Sequence, residues 1–152
     1  AQYKKALSYS MESPRANLDQ ENTRLAIDEF SRFMENHPGH PFAAEAQKRI
    51  DELTEKLAYK DYLIAELYRR MKSPESYQAA LIYYRAIIKD YPRSTWAWYS
   101  RLGIGMVHMK QKEYELARTA FNELASSERA PDDLKKKAAK NIKTIEADAA
   151  KR

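Results

Sequence analysis

A chain of 152 residues can bury a sizeable core, as one domain or as a stack of repeats that each bury a face only against a neighbour. It has no Cys, which excludes a disulfide framework and a thiolate site, and its three Gly and six Pro offer too little turn chemistry for a sheet. The 27 basic and 22 acidic residues give a net charge of +5, with seven of the former and four of the latter inside 132–152. The rest is nearly balanced, and with no glycine-based or aromatic readout motif, nucleic acid is not an expected partner.

Residues 1–11 begin AQYKKAL with no capping residue ahead of them, so they read as a helix entered part-way, as expected of a fragment of a longer protein. No signal-peptide pattern opens the chain, and no apolar run is long enough to span a membrane. A polar loop is expected over 12–18, with Asp19 as the N-cap of a helix that buries Leu25, Ile27, Phe30, Phe33 and Met34.

After the turn PGHP, Pro41 suits the first position of a long helix, where a backbone N–H is not needed, and no Gly or Pro follows until Pro74. Its apolar stripe reads Ala46, Ile50, Leu53, Leu57, then Ile64, Leu67, Tyr68 and Met71. At ~1.5 Å per residue it would be on the order of 45 Å long, enough to serve one repeat with its first half and the next with its second.

The turn KSPES introduces a helix over 75–90, and YPRS leads into one over 95–111 that contains Gly103 and Gly105. Glycine inside a helix costs ~1 kcal/mol relative to Ala, so close helix packing is the expected reason for both. A helix over 113–126 follows, and Pro131 with two acids starts the last. There Leu134, Ala138, Ile142, Ile145 and Ala149 make a narrow stripe on a charged rod, which suits a helix that caps a stack or docks on a partner.

The chain writes one pattern more than once. With Pro38 laid on Pro92, Ala26 falls on Ala80, Phe30 on Tyr84, Phe33 on Ile87 and His37 on Tyr91. In a looser third copy Tyr114, Ala117, Phe121 and Leu124 take the places of Tyr77, Ala80, Tyr84 and Ile87. A small residue, a ring four positions on and an apolar residue three after that share one helical face, so the small residue admits a neighbouring helix and the ring fills the gap beside it. Proline then stops the helix.

Leu102, Gly105, His108, Tyr114, Ala117 and Phe121 resemble the tetratricopeptide pattern, and the sets around Pro38 and Pro92 resemble its second helix. The fold expected is all-α: a tetratricopeptide-like antiparallel helix-pair solenoid with one unusually long helix, repeats over 1–130 and a C-terminal capping helix over 131–152.

More specifically, about residues 25–125 resemble the C-terminal half of the BamD (ComL/YfiO) family of outer-membrane β-barrel assembly lipoproteins. The features are Phe30, Phe33 and Pro38; KRIDEL and LAYKDYLIAELY on the long helix; and the closing KDYP. The resemblance implies a periplasmic protein tethered to the outer membrane through an acylated N-terminal Cys, which with the first repeats would be missing here. It implies as partners a POTRA domain of a BamA-like barrel subunit, other lipoproteins of the BAM complex and unfolded outer-membrane protein precursors. The SPE before Tyr77 and the helix from Pro131 depart from the family pattern.

Catalysis is not expected, since no nucleophile elbow, phosphate loop or dinucleotide fingerprint occurs. His37 and His40 flank a turn without a third ligand nearby, so no metal or other cofactor is expected either. Carboxylates such as Asp51, Glu52 and Glu55 read as solvated faces, Glu52 with Lys56 as an attractive i,i+4 pair.

Two binding sets remain. Tyr59, Tyr62, Glu66, Arg69 and Arg70 recur every three or four residues, apart from the stripe through Leu57, Ile64 and Met71. Either they are a solvated face with rings covering neighbouring repeats, or Tyr59, Tyr62, Arg69 and Arg70 meet an extended peptide, rings taking apolar side chains and guanidiniums a carboxylate. Trp98 is assigned to the core beside Leu102 and Gly105, whereas Trp96 or Tyr99 facing outward would anchor a partner.

The function expected is a noncatalytic scaffold at the periplasmic face of the bacterial outer membrane. The alternatives are another periplasmic tetratricopeptide adaptor, of cell-wall or division complexes, and a cytoplasmic peptide-binding cochaperone. A lipobox, a plain cleavable signal or no signal in the full gene would separate the three.

Overall fold

The computed structural model describes residues 1–13 and 20–152. These form seven helices: α1 (Gln2–Glu12), α2 (Glu21–Asn36), α3 (Ala43–Met71), α4 (Pro74–Asp90), α5 (Thr95–Lys110), α6 (Tyr114–Ser126) and α7 (Asp132–Ala150). No strand occurs among the described residues, and none of their helices is long and apolar enough to cross a membrane. The expected cap Asp19 and most of the loop over 12–18 lie outside them. Glu12 closes α1, and Gln20 stands at the cap position of α2.

Local chemistry sets the other ends. Ser73 and Ser76 cap α4 reciprocally: the Ser76 N–H donates to Ser73 Oγ at 3.1 Å and the Ser73 N–H to Ser76 Oγ at 2.9 Å, with Pro74 at the first position. Ser94 Oγ accepts from the Ala97 N–H at 3.1 Å and starts α5. That helix ends where Lys112 turns left-handed at φ 63, so that the N–H groups of Lys112 and Glu113 reach back to the carbonyls of Met109 and His108 at 3.1 and 2.9 Å.

Pro41 does not occupy the first position of α3, which starts two residues later. His40 holds the intervening turn by accepting the Phe42 N–H on Nδ1 at 3.1 Å and the Ala43 N–H on its carbonyl at 3.0 Å.

The chain packs as two compact units, Ala1–Lys60 and Asp61–Arg152, with the boundary inside α3. In the first, α1 and α2 pack together, and Ala6, Ala26, Phe30, Phe33, Ala46 and Leu53 form the core. The ring of Tyr3 lies 5.6 Å from that of Phe30 and 5.3 Å from that of Phe33. Each large apolar side chain buried this way contributes roughly 1.5–3 kcal/mol. Glu29 is buried at the edge of the core, held by Lys5 at 3.2 Å and Arg32 at 3.3 Å. Leu25, expected to be buried, is exposed, because Thr23 and Ala26 take the inward positions of that turn. Lys56 donates to Ser13 Oγ at 2.9 Å.

In the second unit α4 packs on α5, α5 on α6, and α7 on both α6 and α5. Connections of a few residues make consecutive helices antiparallel, which is the tetratricopeptide arrangement. The repeated small-ring-apolar pattern now has a mechanism. Tyr84 and Phe121 are fully buried, and each lies flat against a glycine of α5: a Cβ on Gly103 would come within 3.0 Å of the Tyr84 ring, and one on Gly105 within 3.0 Å of the Phe121 ring. The ring of each repeat thus requires a helix with no side chain at that point. On the far side of α5, Leu102 joins Phe121, Leu124, Leu134, Ala138 and Ile145 in one cluster, which seats α7.

The expected α3 stripe is right only in its first half. Ala46, Leu53 and Leu57 are buried, but Leu67 and Met71 are each 61% exposed. From Ala58 onward the buried positions follow a neighbouring face, through Ala65, with Tyr62, Glu66 and Arg69 partly covered. Alanine, tyrosine and an ion pair weigh less in an apolar count than leucine and methionine, although they fit the approach of α4.

Candidate functional site

A cavity of about 420 Å³ opens in the second unit between the end of α3, the middle of α5 and α7. Tyr62, Glu66 and Arg69 line it from α3; Tyr99, Leu102, Gly103 and Met106 from α5; Lys137, Lys140 and Asn141 from α7. The i,i+3 and i,i+4 spacings put each set on one helical face. Behind the lining, the bare backbone of Gly103 packs against the buried Tyr84 ring.

The wall is aromatic. Tyr62 packs against Trp96 with ring centroids 4.9 Å apart and against Tyr99 at 6.0 Å, and Trp96 lies 5.3 Å from Tyr99. Such contacts are worth ~0.5–1.5 kcal/mol each beyond the area they bury, so the three rings hold one another in place.

Beneath them Glu66 accepts from Arg69 Nε at 3.0 Å and Nη2 at 2.7 Å, and from the hydroxyl of Tyr84. Burial works against the charge of Glu66 more than any other influence, but the bonds from Arg69 and Tyr84 together overcome it and hold the carboxyl below its ordinary value. The bond to Glu66 is also what most strongly raises the pKa of Arg69. Burial, followed by the proximity of Glu66, pushes the phenols of Tyr62 and Tyr84 upward. At neutral pH the network is therefore one carboxylate, one guanidinium and two neutral phenols, with both oxygens of Glu66 engaged.

Two sets expected separately from sequence meet here: Tyr62 and Arg69 from the peptide-binding set, Trp96 and Tyr99 from the partner-binding set. Arg70 is exposed, and Tyr59 is half-buried in the first unit. Trp98 packs on the cluster around Leu102, with the Arg101 guanidinium 4.8 Å above its ring. His37 and His40 surround Phe33 at 5.4 and 5.1 Å between centroids. Among the described residues no group of three or more His, Asp or Glu gathers as a metal site. Lys137, Lys140 and Asn141 were missed by sequence reasoning, which took the polar residues of α7 together as a charged rod.

A family model described as an outer membrane lipoprotein, YfiO, matches residues 1–124. The chain belongs to this family. Among curated relatives, the outer membrane protein assembly factor BamD of Rickettsia prowazekii (strain Madrid E) is 33% identical over 91 residues, 60% of this chain and 35% of that protein. The chain thus spans about a third of the length of that relative. Residues 1–124 hold α1 to α5 and most of α6, so the α3 and α5 walls of the cavity lie within the family match and the α7 wall lies beyond it.

Proposed function

We propose that this chain is part of a noncatalytic scaffold of the outer-membrane protein assembly (BAM) machinery, working at the periplasmic face of the outer membrane. The observation that carries the reading is the family match over residues 1–124, supported by the name of the Rickettsia relative. The scaffold holds partners rather than transforming them: a POTRA domain of a BamA-like barrel subunit, the other lipoproteins of the complex, and unfolded barrel precursors. It meets the membrane through a lipid anchor. Helix α7 caps the repeats, with its buried stripe on α5 and α6 and its charged side in water.

In this reading Trp96 and Tyr99 anchor a partner, and Tyr62 offers its ring to an extended precursor segment. Arg69 acts by holding Glu66, which leaves the exposed Arg70 as the cation of this set that meets a carboxylate; Tyr59 is a separate contact on the first unit. The test is binding of isolated POTRA domains to the 152-residue chain by calorimetry. Association with Kd below ~100 μM is expected, weakened by Trp96→Ala and Tyr99→Ala, and no association at that concentration would overturn the assignment.

A further inference from the structure

We propose that an outward lysine ridge of α7, formed by Lys136, Lys140 and Lys143, rests on an anionic phospholipid surface, a contact additional to the lipid anchor. The inference rests on the reading that the chain works beside the outer membrane, and it adds which face of the scaffold turns to the lipid.

Helical spacing makes the ridge. Lys136, Lys140 and Lys143 stand at i, i+4 and i+7, so they share one face of α7 and span roughly 10 Å along its axis. Leu134, Ala138 and Ile145 take the other face and are buried in the cluster that joins α7 to α5 and α6. Just past the end of α7, the Arg152 guanidinium lies 4.0 Å above the ring of Tyr114, the first residue of α6. Contacts along and beyond the helix thus fix its rotation, and all three lysines of the ridge are exposed.

Nothing nearby neutralises them. Asp132 is taken by Lys135 at 3.9 Å, and among the described residues no ion pair reaches Lys136, Lys140 or Lys143. Asp133 and Glu146 lie three residues beyond either end of the ridge without pairing to it. Like charges at i,i+4 oppose helix formation, so this arrangement is unfavourable until an anionic surface meets it. Lys140 also borders the cavity, whereas Lys136 and Lys143 lie outside its lining.

The composition of the face selects lipid over protein. The exposed residues interleaved with the lysines include Ala139, Thr144 and Ala147, and none is aromatic, Met or Arg. Protein interfaces are enriched in those three kinds of residue and depleted in Lys. An ammonium is a hydrated point charge on a flexible stem, which suits headgroups that move, while fixed carboxylates are better met by the planar fork of Arg. The family is one of outer membrane lipoproteins, so a phospholipid surface is at hand. The attraction decays over ~10 Å at 0.1 M salt, so the ridge acts on a chain already held near the membrane and there sets its orientation.

The test is co-sedimentation of the 152-residue chain with phosphatidylcholine vesicles, with and without phosphatidylglycerol. At ~0.1 M salt the partition coefficient is expected to be at least about tenfold higher on the anionic vesicles, and ~1 M salt should erase the difference. A lysine near an anionic surface contributes about fivefold, which corresponds to ~1 kcal/mol. Lys136→Gln/Lys140→Gln/Lys143→Gln should therefore lower anionic partition by at least about tenfold, with helicity unchanged because Gln is a good helix former. Lys4→Gln/Lys48→Gln/Lys89→Gln removes the same charge from exposed positions elsewhere and should lower it by less than about threefold.

Equal partition on both vesicles, a preference that survives loss of the ridge, or equal loss in the control variant would each overturn the proposal. A ridge variant that loses POTRA binding while the parent shows no vesicle preference would overturn it too, in favour of an acidic protein face. POTRA binding of the parent is measured independently, so failure on vesicles alone would leave the scaffold reading standing.

Discussion

Gly103→Ala sets two effects of opposite sign against each other. Alanine is better than glycine in a helix interior by ~1 kcal/mol, which would stabilise α5. Against this, the new methyl group would come within 3.0 Å of the Tyr84 ring, tighter than side chains tolerate. Overpacking of this kind costs ~1–3 kcal/mol when neighbours can yield. Tyr84 yields poorly, because it is fully buried and its hydroxyl is bonded to the Glu66 carboxylate, a charge-assisted bond worth ~1.5–3 kcal/mol.

The net expectation is a loss of ~1–3 kcal/mol, read as a lower urea midpoint with unchanged slope. Both Trp residues lie in the second unit, so tryptophan fluorescence reports that unit alone. Tyr84→Phe releases the ring from Glu66, and in that background Gly103→Ala should cost less. Gly39→Ala, at a position with nothing within 4 Å, should shift the midpoint by no more than ~0.5 kcal/mol on the scale of ordinary surface changes. Gly103→Ala as stable as the parent, or more so, would refute the ring-on-glycine packing.

Ala80→Leu, at a fully buried crossing beside Tyr84 and Val107, should destabilise the second unit by ~1–3 kcal/mol in the same denaturation assay. Arg69→Ala removes both nitrogens that engage Glu66, whose side chain is only 12% exposed, and should cost ~1.5–3 kcal/mol. It should also raise the Glu66 pKa, because burial is then opposed only by the bond from Tyr84 and the charge of Arg70; carboxyl titration followed by NMR reads this directly. Because the folded pKa of Glu66 lies below its ordinary value of 4.5, the unfolded chain takes up the proton first as pH falls. The network's contribution is therefore complete above that value and is lost as pH descends through the lower folded one. Urea midpoints measured from about pH 6 to about pH 3 should show this segment in the parent and lack it in Glu66→Gln.

The sequence by itself determined the elements and the repeat. Proline at 38, 74 and 92, serine at 73 and 94, and apolar residues at helical spacing mark helix ends and faces through local chemistry, which neighbours along the chain suffice to specify. Ala26, Ala80 and Ala117 were legible as close crossings for the same reason, and all three are fully buried. Gly103 and Gly105 announced close packing through their cost, but not which rings they admit.

Tertiary structure decided which face of a polar helix turns inward. Along the second half of α3, Leu67 and Met71 outweigh Ala65 and Glu66 in hydrophobicity, yet the latter pair faces the core because Tyr84, distant in sequence, supplies a hydroxyl to the carboxylate and leaves room for little more than a methyl group. The cavity, too, is a tertiary object. Its aromatic wall was legible as two unrelated sets of residues, while Lys137 and Lys140 looked like solvated charge until Leu134, Ala138 and Ile145 fixed the rotation of α7. A side chain's partner across helices depends on distance in space, which residue spacing along one helix does not encode.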